Sequence, residues 1–209
     1  MGLDMYMYVS RKGDEKKLRI VYDEETREEM LMHPDGSKEK MTIKTVRTRG
    51  RYGWAYYNEA GKRIKQDEIS NHLRAEFMYW RKFNALHNWF VENYEGGNED
   101  DCRTHEVSIE KIRSLVKLFE KIISKLPRNI YKIFKTDWEK ADEICAKVVA
   151  DNKELFAELF PTTTGFFFGS TEYDAYYFWE IYRTLRQFKR LVKMYDNGEV
   201  YKVEYCASW

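Results

Sequence analysis

The stretch SNHLRAEFMYWRKFNALHNWFVENY, from Ser70 to Tyr94, decides how the chain is read. It is long, dense in large apolar residues and free of Pro and Gly, which predicts one helix from Ser70 to about Tyr94. Asp67 or Ser70 supplies its N-terminal cap, and Gly96-Gly97-Asn98 ends it. With Trp80 at zero and about 100° per residue, Leu73, Asn84, His87 and Val91 fall within about 40° of one line. Arg81 and Asn88 flank that line on one side, and Phe83, Phe90, Tyr79 and Leu86 on the other. Apolar residues cover most of the circumference, so the helix is expected to be largely buried. Arg81, Asn84, His87 and Asn88 lie within or beside the buried arc. A buried polar group without a partner costs about 1–3 kcal/mol, so these four need partners, a ligand or a water-filled cleft.

Upstream, residues 1–60 read as β-rich. Leu3 to Val9 and Leu18 to Tyr22 are strand-like, and Met41 to Val46 and Gly53 to Asn58 extend the set. His33-Pro34-Asp35-Gly36 is a turn signal, because Pro presets φ and Gly tolerates positive φ. Connections this short favour antiparallel pairing. Downstream, Ser108 caps a second helix to Leu126, stopped by Pro127. A third runs from Thr136 or Asp137 to before Pro161, with Trp138, Ala141, Cys145, Val148, Phe156 and Leu159 inward. Gly165 to Gly169 reads as a short buried strand. Ser170 or Thr171 caps a last helix to about Asp196, and a final strand spans Val200 to Cys206. The expected fold is α+β: a mostly antiparallel sheet from the N-terminal third and the C-terminal strand, packed against about four helices. One domain, 1–209, is expected, with a β-rich part at 1–60, a helical part at 67–197 and the C-terminal strand at 199–207.

The 209 residues include 36 Lys plus Arg and 35 Asp plus Glu, for a formal net charge of +1. That balance argues against a dedicated nucleic-acid or membrane-surface protein, which carries a basic excess. No run approaches the roughly 18 apolar residues of a membrane span. No signal peptide is visible at the N-terminus. Cys102, Cys145 and Cys206 form no CxxC pair, which fits a reducing cytoplasm rather than a disulfide framework. Aromatic residues reach 16%, enough large apolar surface to offset the entropy of ordering the chain.

The polar residues of the central stretch have candidate partners in Gly169-Ser170-Thr171-Glu172-Tyr173-Asp174. Glu172 and Asp174 suit the first turn of a helix and also suit Arg81 or His87, so an Arg81 or His87 bond to one of these acids is expected. A ligand pocket would draw on Trp80, Arg81, Asn84, His87, Asn88, Thr171, Glu172, Tyr173 and Asp174. Asp100, Asp101, Cys102 and His105 make only half a metal site, and neither a metal nor a cofactor is expected. No phosphate-binding glycine loop and no nucleophile elbow occurs. Arg47, Arg49 and Arg51 precede Tyr52, Trp54, Tyr56 and Tyr57, a pattern shared by single-strand binders and by ordinary solvated edge strands; Gly50 and Gly53 suggest a hairpin. Arg183, Arg186, Arg190 and Lys193 form a basic stripe on the last helix, either a solvated face or a contact surface for an acidic partner.

Met1-Gly2-Leu3-Asp4-Met5-Tyr6, Tyr79-Trp80-Arg81-Lys82 with Asn84, His87-Asn88-Trp89-Phe90-Val91, Asp100-Asp101-Cys102, and Gly165 through Asp174 occur in this order across most of the chain. Together they resemble a family of small proteins of tailed bacteriophages and prophages. The resemblance implies an accessory protein made in the bacterial host cytoplasm, and it supplies no catalytic residues. Such proteins act by binding: the expected role is to evade or redirect host functions, antiviral defence among them, by sequestering a small anionic, nucleotide-like ligand or a host protein. Aromatic faces would stack a base and Arg81 would pair a phosphate. The competing class is a small hydrolase or nucleotide-modifying enzyme using His87 with Glu172 or Asp174.

Overall fold

The computed structural model describes residues 2–13, 16–23, 27–48, 51–65, 68–70, 75–96, 100–165 and 167–209. Among them, chain order gives β1 (Asp4–Arg11), β2 (Leu18–Asp23), β3 (Glu28–Met32), β4 (Lys38–Lys40), β5 (Thr42–Thr48) and β6 (Arg51–Tyr57). Next come β7 (Arg63–Ile64), β8 (Ile69–Ser70), β9 (Ala75–Arg81) and α1 (Asn84–Asn93). The chain continues with β10 (His105–Glu106), α2 (Ile109–Ile123), α3 (Ile130–Thr136), α4 (Trp138–Leu159), α5 (Ala175–Asp196) and β11 (Val200–Ser208). The fold is α+β, with five helices where about four were expected. The chain divides into two compact units: Met1–Val9 with Glu76–Trp209, and Ser10–Ala75.

The first unit holds a four-stranded sheet in the order β10-β11-β1-β9. Alternation sets its inner face. Met5, Met7 and Val9 of β1 and Trp80 of β9 are fully buried and Met78 is buried, while Tyr79 and Arg81 point outward. β10 pairs antiparallel with β11, His105 opposite Tyr205. Five helices accompany this sheet. α2 buries Ile112, Leu115, Phe119 and Ile122 at helical spacing. α5 buries Phe178, Ile181, Leu185, Phe188 and Leu191. The Trp80 indole meets Phe188 edge-on at 6.0 Å and Phe90 at 6.2 Å, a geometry aromatic pairs favour. Each such buried side chain stabilises the fold by about 1.5–3 kcal/mol.

Side-chain caps start three of the helices. Ser108 accepts from the Lys111 amide, Asp137 from Lys140 and Asp174 from Tyr177. The cap of α5 is thus Asp174, three residues beyond the expected Thr171, because only Asp174 turns its carboxylate onto the first free N–H groups.

The expected helix from Ser70 is not formed. Ala75–Arg81 is a strand, and the helix begins at Asn84. Lys82 between them has φ +56°, a left-handed conformation that breaks any helix running through it. Leu73 and the proposed cap Asp67 lie outside the described residues, as do Gly97 and Asn98. The segment after α4 also departs from expectation. Gly165 and Phe167 to Gly169 lie in no strand. Phe168 is buried, Phe167 is exposed with φ +70°, and Phe166 lies outside the described residues. Trp138, expected inward, is 45% exposed: it is the first residue of α4 and its ring lies against Phe134 of α3 at 5.8 Å.

In the second unit, β4-β3-β2-β8 form one sheet and β5-β6-β7 another. β2 pairs antiparallel with β3 and parallel with β8. The turn His33 to Gly36 joins β3 to β4, closed by the Gly36 amide on the His33 carbonyl at 2.9 Å, with Gly36 at φ +87°. Leu31, Ile64 and Ile69 are buried together, with Leu18, Ile20, Met41 and Tyr56 packed around them. β5 and β6 form a hairpin whose register places Arg47 opposite Tyr52; Arg49 and Gly50 lie outside the described residues.

Candidate functional site

Asn84 is 2% exposed, and all three of its side-chain contacts are to backbone. Its Nδ2 donates to the Ser170 carbonyl at 2.7 Å and the Phe168 carbonyl at 3.2 Å. Its Oδ1 accepts from the Thr163 amide at 3.1 Å. One side chain at the start of α1 therefore ties down two segments of the loop between α4 and α5. The Tyr176 hydroxyl adds a bond to the Arg81 carbonyl at 2.6 Å, and Thr162 Oγ1 donates to the Thr171 carbonyl at 2.8 Å.

These ties frame an open cleft of about 370 Å³, bordered by Arg81, Lys82, Asn84, Glu172, Asp174 and Tyr176, with Gly169 and Ser170 on its rim. The volume suits a small ligand. Lys82 reaches the cleft through its left-handed backbone, which packs on Gly169. A Cβ at Gly169, whose φ is +91°, would stand 2.9 Å from Lys82 Cβ and 3.2 Å from the Lys82 carbonyl. A lysine held at positive φ beside a cleft is the kind of local strain that persists where surrounding structure enforces it.

The expected bond from Arg81 or His87 to Glu172 or Asp174 is absent. Arg81 and the two acids border the same cleft, yet among the described residues neither Arg81 nor Lys82 has a salt bridge. Both cations are exposed, and so is the Glu172 carboxylate. Asp174 is occupied as the cap of α5 at 2.9 Å from the Tyr177 amide. The cleft is thus lined by two cations without salt bridges among the described residues, by the exposed Glu172 and by the partly exposed Tyr176 ring. Burial pushes the Tyr176 hydroxyl up to about 12, with nearby Glu180 adding to the shift, so the phenol stays neutral as a donor.

His87 belongs elsewhere. Its Nε2 lies 3.0 Å from Asp100 Oδ2 and its Nδ1 lies 2.7 Å from the Tyr205 hydroxyl. A carboxylate only accepts, so Nε2 carries the proton and the Tyr205 hydroxyl donates to Nδ1. Phe168 and Trp209 cover the ring at 5.1 and 5.5 Å. Burial lowers the His87 pKa, opposed by the hydrogen bond to Asp100. The adjoining cavity is only about 10 Å³, room for a water at most, so this Tyr–His–Asp chain has no space for a substrate. The pairing of His87 with Glu172 or Asp174 that an enzyme would need is not assembled.

The remaining expected residues divide in the same way. Trp80 is fully buried, and its Nε1 donates to Thr184 Oγ1 at 2.7 Å. Asn88 donates to Glu92 on the outer face of α1. Tyr173 is half-buried, its ring meeting Tyr177 edge-on at 5.0 Å. Thr171 contributes its carbonyl to the loop. Arg81, Asn84, Glu172 and Asp174 are brought together; Trp80, His87, Asn88 and Tyr173 are not. Sequence reasoning missed Lys82, Gly169 and Tyr176 as cleft residues. The Gly between an aromatic run and Ser170 was the available signal, since close backbone approach favours a residue without Cβ.

Asp101 accepts from His105 and from the Arg103 amide, and no cluster of His, Cys, Asp or Glu fit for a metal occurs among the described residues. On α5, Arg183 bonds Glu180 and the Tyr79 carbonyl, Arg186 lies over the Tyr131 ring and Arg190 over Phe77, so most of that stripe is engaged within the fold. No described helix is long and apolar enough to cross a membrane. No family model, curated protein or solved structure matches the chain.

Proposed function

We propose that the chain is a phage accessory protein that acts in the bacterial host cytoplasm by binding a small anionic, nucleotide-like ligand in the cleft beside α1, withdrawing it from host functions such as defence signalling. The observation that carries this reading is a pair of adjacent cations, Arg81 and Lys82, without salt-bridge partners among the described residues, on an open cleft of about 370 Å³ that Glu172 also lines. A phosphate answers the cations, and Arg81 can hold two of its oxygens at once. Sugar hydroxyls or an exocyclic amine answer Glu172. The Tyr176 ring offers an aromatic face to a base. Binding rather than turnover is favoured because Asp174 is occupied as a helix cap and His87 is sealed away from the cleft.

A thermal-shift screen of nucleotides and cyclic dinucleotides tests this. A ligand at 100 times its Kd stabilises the folded state by about 2.7 kcal/mol, a readily measured shift. Arg81→Ala combined with Lys82→Ala should abolish the shift. Chromatography of the recovered ligand should return it unchanged. A wild-type protein that no nucleotide stabilises, or a shift that survives the double substitution, removes the proposal; recovery of a product replaces it with the enzyme.

A further inference from the structure

The second unit carries a feature that the cleft does not explain. Between Thr42 and Lys65, the span of β5, β6 and β7, the sequence places seven basic residues against one acid, Glu59. The chain as a whole is at +1, so this sheet is a strongly basic island in an otherwise acidic chain. Trp54 sits on it with 65% of its surface exposed. Its cross-strand partner is Thr45, too small to cover an indole. Beside Trp54 runs a groove of about 460 Å³, bordered by Ala55, Tyr56, Arg63, Ile64 and Lys65. Arg63 and Lys65 are exposed and have no salt bridge among the described residues. Lys44 lies 5.0 Å from the Tyr57 ring centre on the neighbouring strand.

We propose that this sheet binds single-stranded nucleic acid, with a base stacked on Trp54 and the neighbouring phosphates reached round the β7 edge by Arg63 and Lys65, which the strand register places on the face opposite Trp54. A tryptophan with 65% of its surface exposed leaves a large apolar face in water, and a base fits that face as a flat partner. Stacking requires an unpaired base, which excludes a closed duplex. The local basic excess supplies the sequence-independent phosphate attraction such binders use. The overall charge balance had argued against nucleic acid; that average hides a sheet whose own charge is the opposite of the remainder's.

Fluorescence anisotropy of the full chain with labelled 15-nucleotide DNA and RNA single strands of mixed sequence, and with the matching duplex, tests the site. The single strand should bind, more weakly as salt rises, and the duplex at least about tenfold more weakly. Trp54→Ala should lower affinity about tenfold, in line with the stacking contribution of one base, while Trp54→Phe keeps most of it. Arg63→Glu with Lys65→Glu should cost more than tenfold and flatten the salt dependence. Lys147→Glu with Lys153→Glu, the same charge change on exposed positions of α4, should cost less than threefold. Arg81→Ala with Lys82→Ala should leave oligonucleotide binding unchanged, so failure here and failure of the cleft reading are separate results. The idea is overturned by no binding at low salt, by equal binding of the duplex, by full affinity in Trp54→Ala, or by polyglutamate competing as well as the oligonucleotide.

Discussion

Asn84 Nδ2 donates to the Ser170 carbonyl at 2.7 Å, joining the first residue of α1 to a loop 86 positions away. The same side chain serves the Phe168 carbonyl and the Thr163 amide, so three backbone groups depend on it. Asn84→Ala should destabilise the protein by about 1–3 kcal/mol for each group left buried and unpaired. Asn84→Asp should be at least as damaging, because it aims an anion at two carbonyls. Urea unfolding measures the loss. Ligand affinity should fall with either variant even at temperatures where the protein remains folded.

Lys82 and Gly169 make a paired prediction. Lys82→Gly relieves a φ of +56°, where a side chain costs about 1–2 kcal/mol, and loses some of that to the greater freedom of the unfolded chain. Stability should hold or rise by up to about 1 kcal/mol, while nucleotide affinity drops about tenfold. Gly169→Ala should do the reverse of a relief: its Cβ meets Lys82, and its φ of +91° disfavours any side chain. A lower melting temperature is expected from calorimetry.

The buried His87 makes stability depend on pH with a definite sign. Burial lowers its folded pKa below the unfolded value of about 6.5, so the unfolded chain binds the extra proton first. Stability from this group is present above about pH 6.5 and is lost as pH falls below it. Glu180 works in the opposite sense, because burial raises its pKa and the folded state takes up the proton first. The difference between wild type and His87→Gln isolates the histidine. Urea midpoints from pH 7.5 to 5 should fall more steeply in the wild type than in the variant.

The bond between the Trp80 indole and Thr184 Oγ1 lies in the dry core joining β9 to α5. Thr184→Val keeps the shape and removes the acceptor, leaving the indole N–H unpaired at a cost of about 1–3 kcal/mol. Thr184→Ser keeps the acceptor and should recover much of that loss. A variant pair of equal stability would show that the bond contributes nothing net.

Cys145 is fully buried, and burial pushes its thiol up to about 12, whereas Cys102 is exposed. Iodoacetamide at pH 8 should therefore alkylate Cys102 in the folded protein and leave Cys145 unmodified until denaturant is added. Mass spectrometry of the peptides reads the result.

The wrong assignment of Ser70 to Arg81 shows where local pattern stops being informative. Phe77 to Trp80 is an unbroken apolar and aromatic run, so neither a two-residue nor a 3.6-residue period stands out there, and the helical spacing of the residues after it reads as continuing through it. No capping side chain marks the true start, since Phe83 occupies that position. What makes this segment a strand is the sheet it joins beside β1, some seventy residues earlier, and that partnership leaves no local signature. α3 escaped notice because its seven residues are too few to show a helical period.

The amino-acid sequence by itself determined the α+β class, the turn at His33 to Gly36, the caps Ser108 and Asp137, the apolar stripes of α2 and α5 and the C-terminal strand. These rest on interactions within a few residues, which spacing and side-chain type report directly. Only tertiary structure decided that His87 turns to Tyr205 and Asp100 while Arg81 stays unpaired on a cleft. Orientation about a helix axis depends on where the helix begins, and α1 begins fourteen residues later than its periodicity implied, after a left-handed Lys82 that no local rule anticipates.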